Sequence, residues 1–146
     1  MSVDYQSIFS GLADAAKAKA LEDQPIITLG ELIAKLEQQD QSASLAVQFR
    51  GMLCALDDIS SYRGYYSDLC LEPGDDRFGT VATALADLRE SVGRTFTGYK
   101  GGEYKMTNRT IVWVDYYGAC SGVGVTGVQV NSEGVVVITS AECEAS

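Results

Sequence analysis

The sequence predicts an α+β domain: a mainly antiparallel sheet with two or three helices packed against it. Three observations predict it. Helical periodicity and strand-like alternation occupy separate stretches instead of alternating one for one. Beyond residue 95 the pattern is strands and short turns only, as an antiparallel sheet requires. At 146 residues, 46% hydrophobic and 21% charged, the chain is long enough to bury one core without disulfides or metal.

Residues 3 to 22 read as a first helix, with Ile8, Leu12, Ala15, Ala16 and Ala20 near helical spacing. Asp23-Gln24-Pro25 ends it, because the residue before proline avoids the α region. Residues 1–25 are therefore set apart as an N-terminal helical extension, and residues 26–146 as the single domain. Thr28 and Glu31 have the spacing of a capping box, and Leu29, Leu32, Ile33 and Leu36 form one apolar face. That helix is expected to run to about Gln39. Leu45, Val47 and Phe49 alternate with Ala46 and Gln48 as a first strand.

Residues 50 to 62 fit no single period and are compatible with a hydrophobic loop or a short helical turn. Tyr62 to Leu71 is expected to be the second strand, and Glu72-Pro73-Gly74-Asp75-Asp76 a turn. Thr80 opens the next helix, with Val81, Leu85, Leu88 and Val92 in register and Gly93 placed as its C′ residue. TLGELIAKLEQ and TVATALADLRE share a threonine and an [IL]-A-x-L core. This is either a degenerate duplication or the common form of two capped helices.

Strands are then expected at Thr95 to Tyr99, around Tyr104 to Met106, and at Ile111 to Asp115, with Lys100-Gly101-Gly102 and Thr107-Asn108-Arg109 as turns. Along the last of these, Ile111, Trp113 and Asp115 share one face and Val112 and Val114 the other. Gly118 to Gly127 reads as a loop. Val123, Val125, Val128 and Val130 lead through the turn Asn131-Ser132-Glu133-Gly134 to a buried strand, Val135 to Ile138, and the tail from Ser140 is expected to fray.

Charge is unevenly spread. The chain has 11 basic and 20 acidic residues, a net −9. From Arg94 to Arg109, however, Arg94, Lys100, Lys105 and Arg109 oppose only Glu103, a net +3 that leaves −12 for the remainder. Phe96, Tyr99, Tyr104, Trp113, Tyr116 and Tyr117 crowd the same region, with Gly98, Gly101 and Gly102 between them. Cations attract phosphate, ring faces stack on bases, and glycines let a backbone approach a ligand. A hairpin with aromatics in its core and solvated lysines would have the same composition. Tyr62-Arg63-Gly64-Tyr65-Tyr66 is a second such constellation.

Composition also narrows the chemistry. The chain has no histidine, which removes the commonest general base and the usual Ser/His and Cys/His pairs. Cys54, Cys70, Cys120 and Cys143 lie far apart without a CxxC, so free buried thiols are expected and no metal or other cofactor. No apolar run reaches the roughly 18 residues of a membrane span, and no secretory signal opens the chain, so a cytoplasmic protein without membrane contact is expected. A pI near 4.3 opposes binding of long nucleic acid; it also suits an acidic mimic of nucleic acid that blocks a DNA-binding partner.

Four pieces of the chain, TLGELIAKLE (28–37), SYRGYYSDLCLEPG (61–74), the Thr80 helix and VGRTFTGYKGGEYKMTNRTIVWVDYYG (92–118), resemble the phage Thoeris anti-defence 1 family. The likeness covers about residues 26 to 139. Its specific parts are the Y-R-G-Y-Y and T-F-x-G-Y-K-G-G blocks, and residues 50 to 60 align poorly. Where the family pattern has Ala-Asn after V-W-V, this chain has Asp115-Tyr116.

The resemblance implies a non-enzymatic sponge for cyclic ADP-ribose isomers made by defence TIR enzymes, extending in some relatives to cyclic oligonucleotides. It also implies a homodimer or larger homo-oligomer in the cytoplasm of an infected bacterium. Arg63, Lys100 and Arg109 are the expected phosphate ligands, and Phe96, Tyr99, Tyr104 or Trp113 the expected partners of the base. Tyr65, Asn108 and Tyr116 complete the expected ligand-binding set, with no catalytic residue.

Overall fold

The structure, a computed structural model, describes residues 26–63, 65–98, 100–115 and 122–142. It is a closed six-stranded barrel with two short helices, not an α+β sheet with helices layered on it. In chain order the elements are α1 (Leu29–Glu37), β1 (Leu45–Phe49), β2 (Met52–Ser61), β3 (Leu69–Gly74), α2 (Val81–Ser91), β4 (Thr95–Thr97), β5 (Glu103–Lys105), β6 (Val112–Val114), β7 (Val123–Val130) and β8 (Val136–Glu142). The barrel runs β1-β2-β3-β6-β7-β8, and β4 and β5 form a separate hairpin. Four barrel pairings are antiparallel. The other two, β3 with β6 and β1 with β8, are parallel seams that close the sheet on itself.

The capping box forms in full: Thr28 Oγ1 accepts from the Glu31 amide at 3.2 Å, and Glu31 Oε1 accepts from the Thr28 amide at 2.9 Å. α1 buries Leu29, Leu32 and Leu36, and ends at Glu37 rather than Gln39. The Thr80 hydroxyl caps α2 by accepting from the Thr83 amide, and Val92 turns extended. Gly93 follows at φ +82°, the left-handed C′ conformation expected of it. Both helices share one apolar cluster with the barrel interior, where Leu45, Val47, Leu69, Leu71, Val112, Val114, Val123, Val125, Val136 and Ile138 meet. A barrel of this size leaves only enough room for side chains to fill it.

Several local expectations are corrected. Residues 52–61 form the long strand β2, not a loop or helical turn. A bulge between Leu56 and Asp58 shifts its register, so neither a two-residue nor a helical period survives along it. Residues 62–68 are a loop, and the strand begins only at Leu69. It continues through Glu72-Pro73-Gly74 in place of the expected turn. Pro73 faces Leu56 beside that bulge, where strand proline is tolerated. β7 takes in Val123 to Gly127, and β8 extends to Glu142. The helix expected over residues 3 to 22 and the C-terminal end of the tail lie outside the described residues.

The likeness of the two helices is matched by a likeness of the two halves of the barrel. Leu69, Cys70 and Leu71 pair with Val112, Trp113 and Val114 across one seam; Val136, Val137 and Ile138 pair with Leu45, Ala46 and Val47 across the other. The Leu69 amide donates to the Ile111 carbonyl at 2.9 Å, and its counterpart at Val136 donates to Ser44 at 2.8 Å. Leu29 at the start of α1 donates to Thr110, and Val81 at the start of α2 donates to Ala43. The bulge opposite β3 recurs opposite β8, between Val125 and Gly127. The barrel is thus two α-β-β-β halves related by an internal two-fold, and its connections break the symmetry. β1 turns into β2 through Arg50-Gly51, whereas residues 115–122 join β6 to β7. Residues 38–44 join α1 to β1, whereas residues 92–111 join α2 to β6 and carry the β4–β5 hairpin.

Candidate functional site

The 62–68 loop and the start of β7 meet around one aromatic cluster. On the outer face of the β3–β6 seam, Tyr62, Cys70 and Trp113 pack with Ile26, and Tyr65 and Ile111 close over them. Alternation along β6 puts Val112 and Val114 in the barrel interior and Trp113 outside, as the sequence predicts. Trp113 lies flat on Tyr62, with ring centroids 4.8 Å apart and planes 8° from parallel. Tyr65 stands 6.1 Å from Trp113 and 6.5 Å from Tyr62.

Short-range backbone bonds curl residues 62–68 so that both tyrosines reach one indole. The Tyr62 amide donates to Asp68 O at 2.9 Å, Tyr65 to Tyr62 O at 3.1 Å, and Asp68 to Tyr65 O at 2.8 Å. Two polar bonds then tie the stack to its surroundings. Trp113 Nε1 donates to Asp68 Oδ2 at 2.8 Å, and the Gly122 amide donates to the Tyr62 hydroxyl at 3.0 Å.

The hairpin brings the basic glycine block to the same place. Thr95, Phe96 and Thr97 pair with Lys105, Tyr104 and Glu103. Gly101 and Gly102 sit at φ +89° and +80°, a conformation an L side chain resists, which fixes glycine in the turn. The Tyr104 ring meets Tyr66 of the 62–68 loop with centroids 5.7 Å apart. Gly98 lies beneath both: a Cβ there would stand 2.9 Å from Tyr104 Cε2 and 3.1 Å from Tyr66 Cγ. Met106, fully buried, anchors the hairpin to the core, and its amide and carbonyl bond Arg94 and Gly93.

The residues expected at the site therefore divide. Tyr65 is half-buried against the cluster, Tyr104 is half-buried against the main core and meets Tyr66, Arg63 is half-buried in the 62–68 loop, and Lys100 is exposed in the hairpin turn. Trp113, 2% exposed, has a face covered by Tyr62 and serves as the seat of the stack, not as an open platform for a base. Phe96 belongs to the main core, with the Arg94 guanidinium 4.6 Å over its ring. Asn108 and Arg109 sit in the turn at the α1 N-terminus, where Asn108 O accepts from Gly30 at 2.9 Å and Arg109 N donates to Thr107 Oγ1. Tyr99 and Tyr116 lie outside the described residues.

Tyr62 and Tyr66, singled out with the second constellation, were left out of the expected ligand-binding set, and Asp68 was missed. Their signal was membership of the Y-R-G-Y-Y-S-D block. Reading that block as a strand hid it, because a strand would send alternate side chains to opposite faces.

The chain matches no protein-family model, no curated protein and no solved structure. Electrostatics is the remaining guide. A cavity of about 190 Å³ lies between Leu56, Asp57, Asp58, Ile59, Asp87, Glu90, Ser91 and Arg94. Its four carboxylates against one guanidinium would repel a phosphate. Cys54 and Cys70 are buried free thiols. Burial, reinforced by the Asp115 and Glu72 carboxylates, pushes the Cys70 thiol up to about 12, so it carries no thiolate at neutral pH. Among the described residues no group of three or more Cys, Asp or Glu is arranged to hold a metal ion. Among them also, no helix is long and apolar enough to cross a membrane.

Proposed function

We propose that the protein is a sponge: it binds a cyclic nucleotide immune signal, of the cyclic ADP-ribose isomer class, and holds it without cleaving it. The observation that carries this reading is the aromatic cluster of the β3–β6 seam, whose 62–68 loop holds Arg63 and meets the Lys100 hairpin through Tyr66 and Tyr104, in an otherwise acidic chain. Tyr65, Tyr66 and Tyr104 offer partly open ring faces for an adenine, and Arg63 with Lys100 supplies charge for a pyrophosphate.

Holding without cleaving follows from the chemistry at hand. No histidine is present, and the thiol at the site, Cys70, is held protonated. The resemblance to Thoeris anti-defence 1 proteins favours the same class, a homo-oligomer and the cytoplasm of an infected bacterium as its place of action.

Calorimetric titration with a cyclic ADP-ribose isomer tests the reading. Saturable binding is expected, with about a ten- to hundredfold loss in Arg63→Ala, the usual effect of removing a charged contact to phosphate. Heat-released ligand should run on chromatography as the intact cycle. Flat heats for the unmodified protein, or turnover of more ligand than there are sites, would overturn it.

One observation favours a second reading, an acidic mimic of nucleic acid: Asp57, Asp58, Asp87 and Glu90 gather around a single cavity. Under that reading Asp57→Asn with Asp58→Asn abolishes inhibition of a DNA-binding partner while cyclic nucleotides bind to neither form.

A further inference from the structure

We propose that Asp68 is a positioning residue, fixing the 62–68 loop against the start of β7 by holding Trp113. The proposal rests on reading the aromatic cluster as the ligand site. The chain of contact is short. Asp68 Oδ2 accepts the indole N–H, the indole lies flat on Tyr62, and the Tyr62 hydroxyl accepts the Gly122 amide at the start of β7. Residues 62–68 and Gly122 at the start of β7 are thereby joined through one ring pair. Tyr65, the ring of this stack that solvent reaches, takes its seat against the same indole.

A carboxylate suits the position. An indole N–H is a donor only, and burial leaves it costly without an acceptor; a charged acceptor makes the bond shorter and stronger than a neutral one. The Asp68 backbone closes the loop as well, so side chain and main chain act at one point.

The internal two-fold gives an independent reason to assign this role to the site and not to barrel closure. Through the matched seam registers, Trp113 corresponds to Ala46 and Cys70 to Val137. Tyr62, which follows the last β2 residue of its seam, corresponds to Asn131, and Asp68, which precedes Leu69, corresponds to Val135. The second seam closes in the same register with alanine and valine where the first has the tryptophan and the aspartate. Closing a seam of this barrel does not require the Asp68–Trp113–Tyr62 assembly. It occurs only where the connections are long.

The test compares Asp68→Ala, Asp68→Asn and Trp113→Phe in the full chain. The readouts are hydrogen exchange at the Gly122 amide, emission from Trp113, the single tryptophan of the chain, and titration with a cyclic ADP-ribose isomer. In Asp68→Ala the Gly122 amide is expected to exchange about tenfold faster or more, the size of one buried bond lost. The Val136 amide in the opposite seam should keep its rate. The emission should shift to longer wavelength, and ligand affinity should fall about tenfold. Asp68→Asn keeps an oxygen acceptor and should return exchange and affinity to within roughly threefold of the parent. Trp113→Phe keeps a ring without the N–H and should follow Asp68→Ala in exchange.

Unchanged Gly122 exchange in Asp68→Ala, or an equal rise at Gly122 and Val136, would overturn the proposal. So would full ligand affinity in that variant. If the parent binds no cyclic nucleotide, the sponge reading fails by itself, and the exchange and emission data still decide whether Asp68 holds the loop.

Discussion

A methyl group at position 98 has no free space to enter. Gly98 does not lie in the left-handed region, so alanine is allowed there by its backbone, and the cost of Gly98→Ala is purely steric. Its Cβ would stand 2.9 Å from Tyr104 Cε2, 3.1 Å from the Gly101 carbonyl oxygen and 3.1 Å from Tyr66 Cγ. None of these neighbours is the loose end of a flexible chain. One is backbone in a turn closed by the Gly98–Gly102 and Gly101–Gly98 hydrogen bonds, and the others belong to rings that pack on each other.

Overpacking of this kind costs about 1–3 kcal/mol, and losing the ring pair adds about 0.5–1.5 kcal/mol where the rings must part. Against this, alanine stiffens the unfolded chain by about 0.4–1 kcal/mol. The net expectation is a loss of about 2 kcal/mol, roughly 4–8 °C in Tm for a chain of this length. Differential scanning calorimetry reads it directly. Gly79→Ala is the control, because a Cβ at Gly79 meets nothing within 4 Å, and its Tm should stay level or rise. Trimming Tyr104 to alanine removes the closest obstacle, so the double variant should lose less than the sum of the two single losses. A Tm for Gly98→Ala equal to that of the Gly79→Ala control would refute the packing described for the hairpin.

Two further expectations concern ionisable groups. Burial raises the Glu72 carboxyl above the usual glutamate range; the Ser60 hydroxyl, donating at 2.5 Å, opposes this, and Asp58 and Asp57 add to the rise. A folded-state value above the unfolded one means that the ionised carboxylate opposes folding at neutral pH and that the penalty lifts as pH falls through the folded-state value. Glu72→Gln should therefore have the higher Tm at pH 7, with the gap to the parent closing on acidification; a gap that widens would be the wrong sign. For Cys70, held protonated by burial, mass mapping after iodoacetamide treatment at pH 8 should find its peptide unlabelled in the native protein and labelled in urea. Native labelling at the unfolded rate would contradict the burial.

What was legible in the sequence was local. The capping box at Thr28, the Thr80 cap, the C′ glycine at Gly93 and the alternation of β6 each depend on residues within a few positions, and each formed as expected. The barrel was not legible, because the two parallel seams that close it join segments far apart in the chain and leave no local period. β2 was hidden by its own bulge, and the bent loop at 62–68 passed for a strand because tyrosine favours strands. Composition singled out blocks that pack together in the fold but not the exposure of their rings. Phe96 and Trp113 are buried, in the core and as the seat of the cluster, and the more open rings are Tyr65, Tyr66 and Tyr104.

The internal two-fold turns these exposures into an argument about location. Two halves that close through matched registers need matched seams, turns and helices, and a change that serves folding alone has no reason to fall on one side. The departures nonetheless fall together. The opposite seam has the two-residue turn Arg50-Gly51 and the tight turn after Asn131, whose side chain accepts from the Glu133 and Val135 amides. The β3–β6 seam has the 62–68 loop and the glycine hairpin, and with them come stacked rings, the buried Trp113–Asp68 bond, the Tyr62–Gly122 bond and the Tyr66–Tyr104 contact. Loops carried on a rigid scaffold are where binding chemistry concentrates. A scaffold that supplies its own undecorated counterpart shows which loops closure did not require.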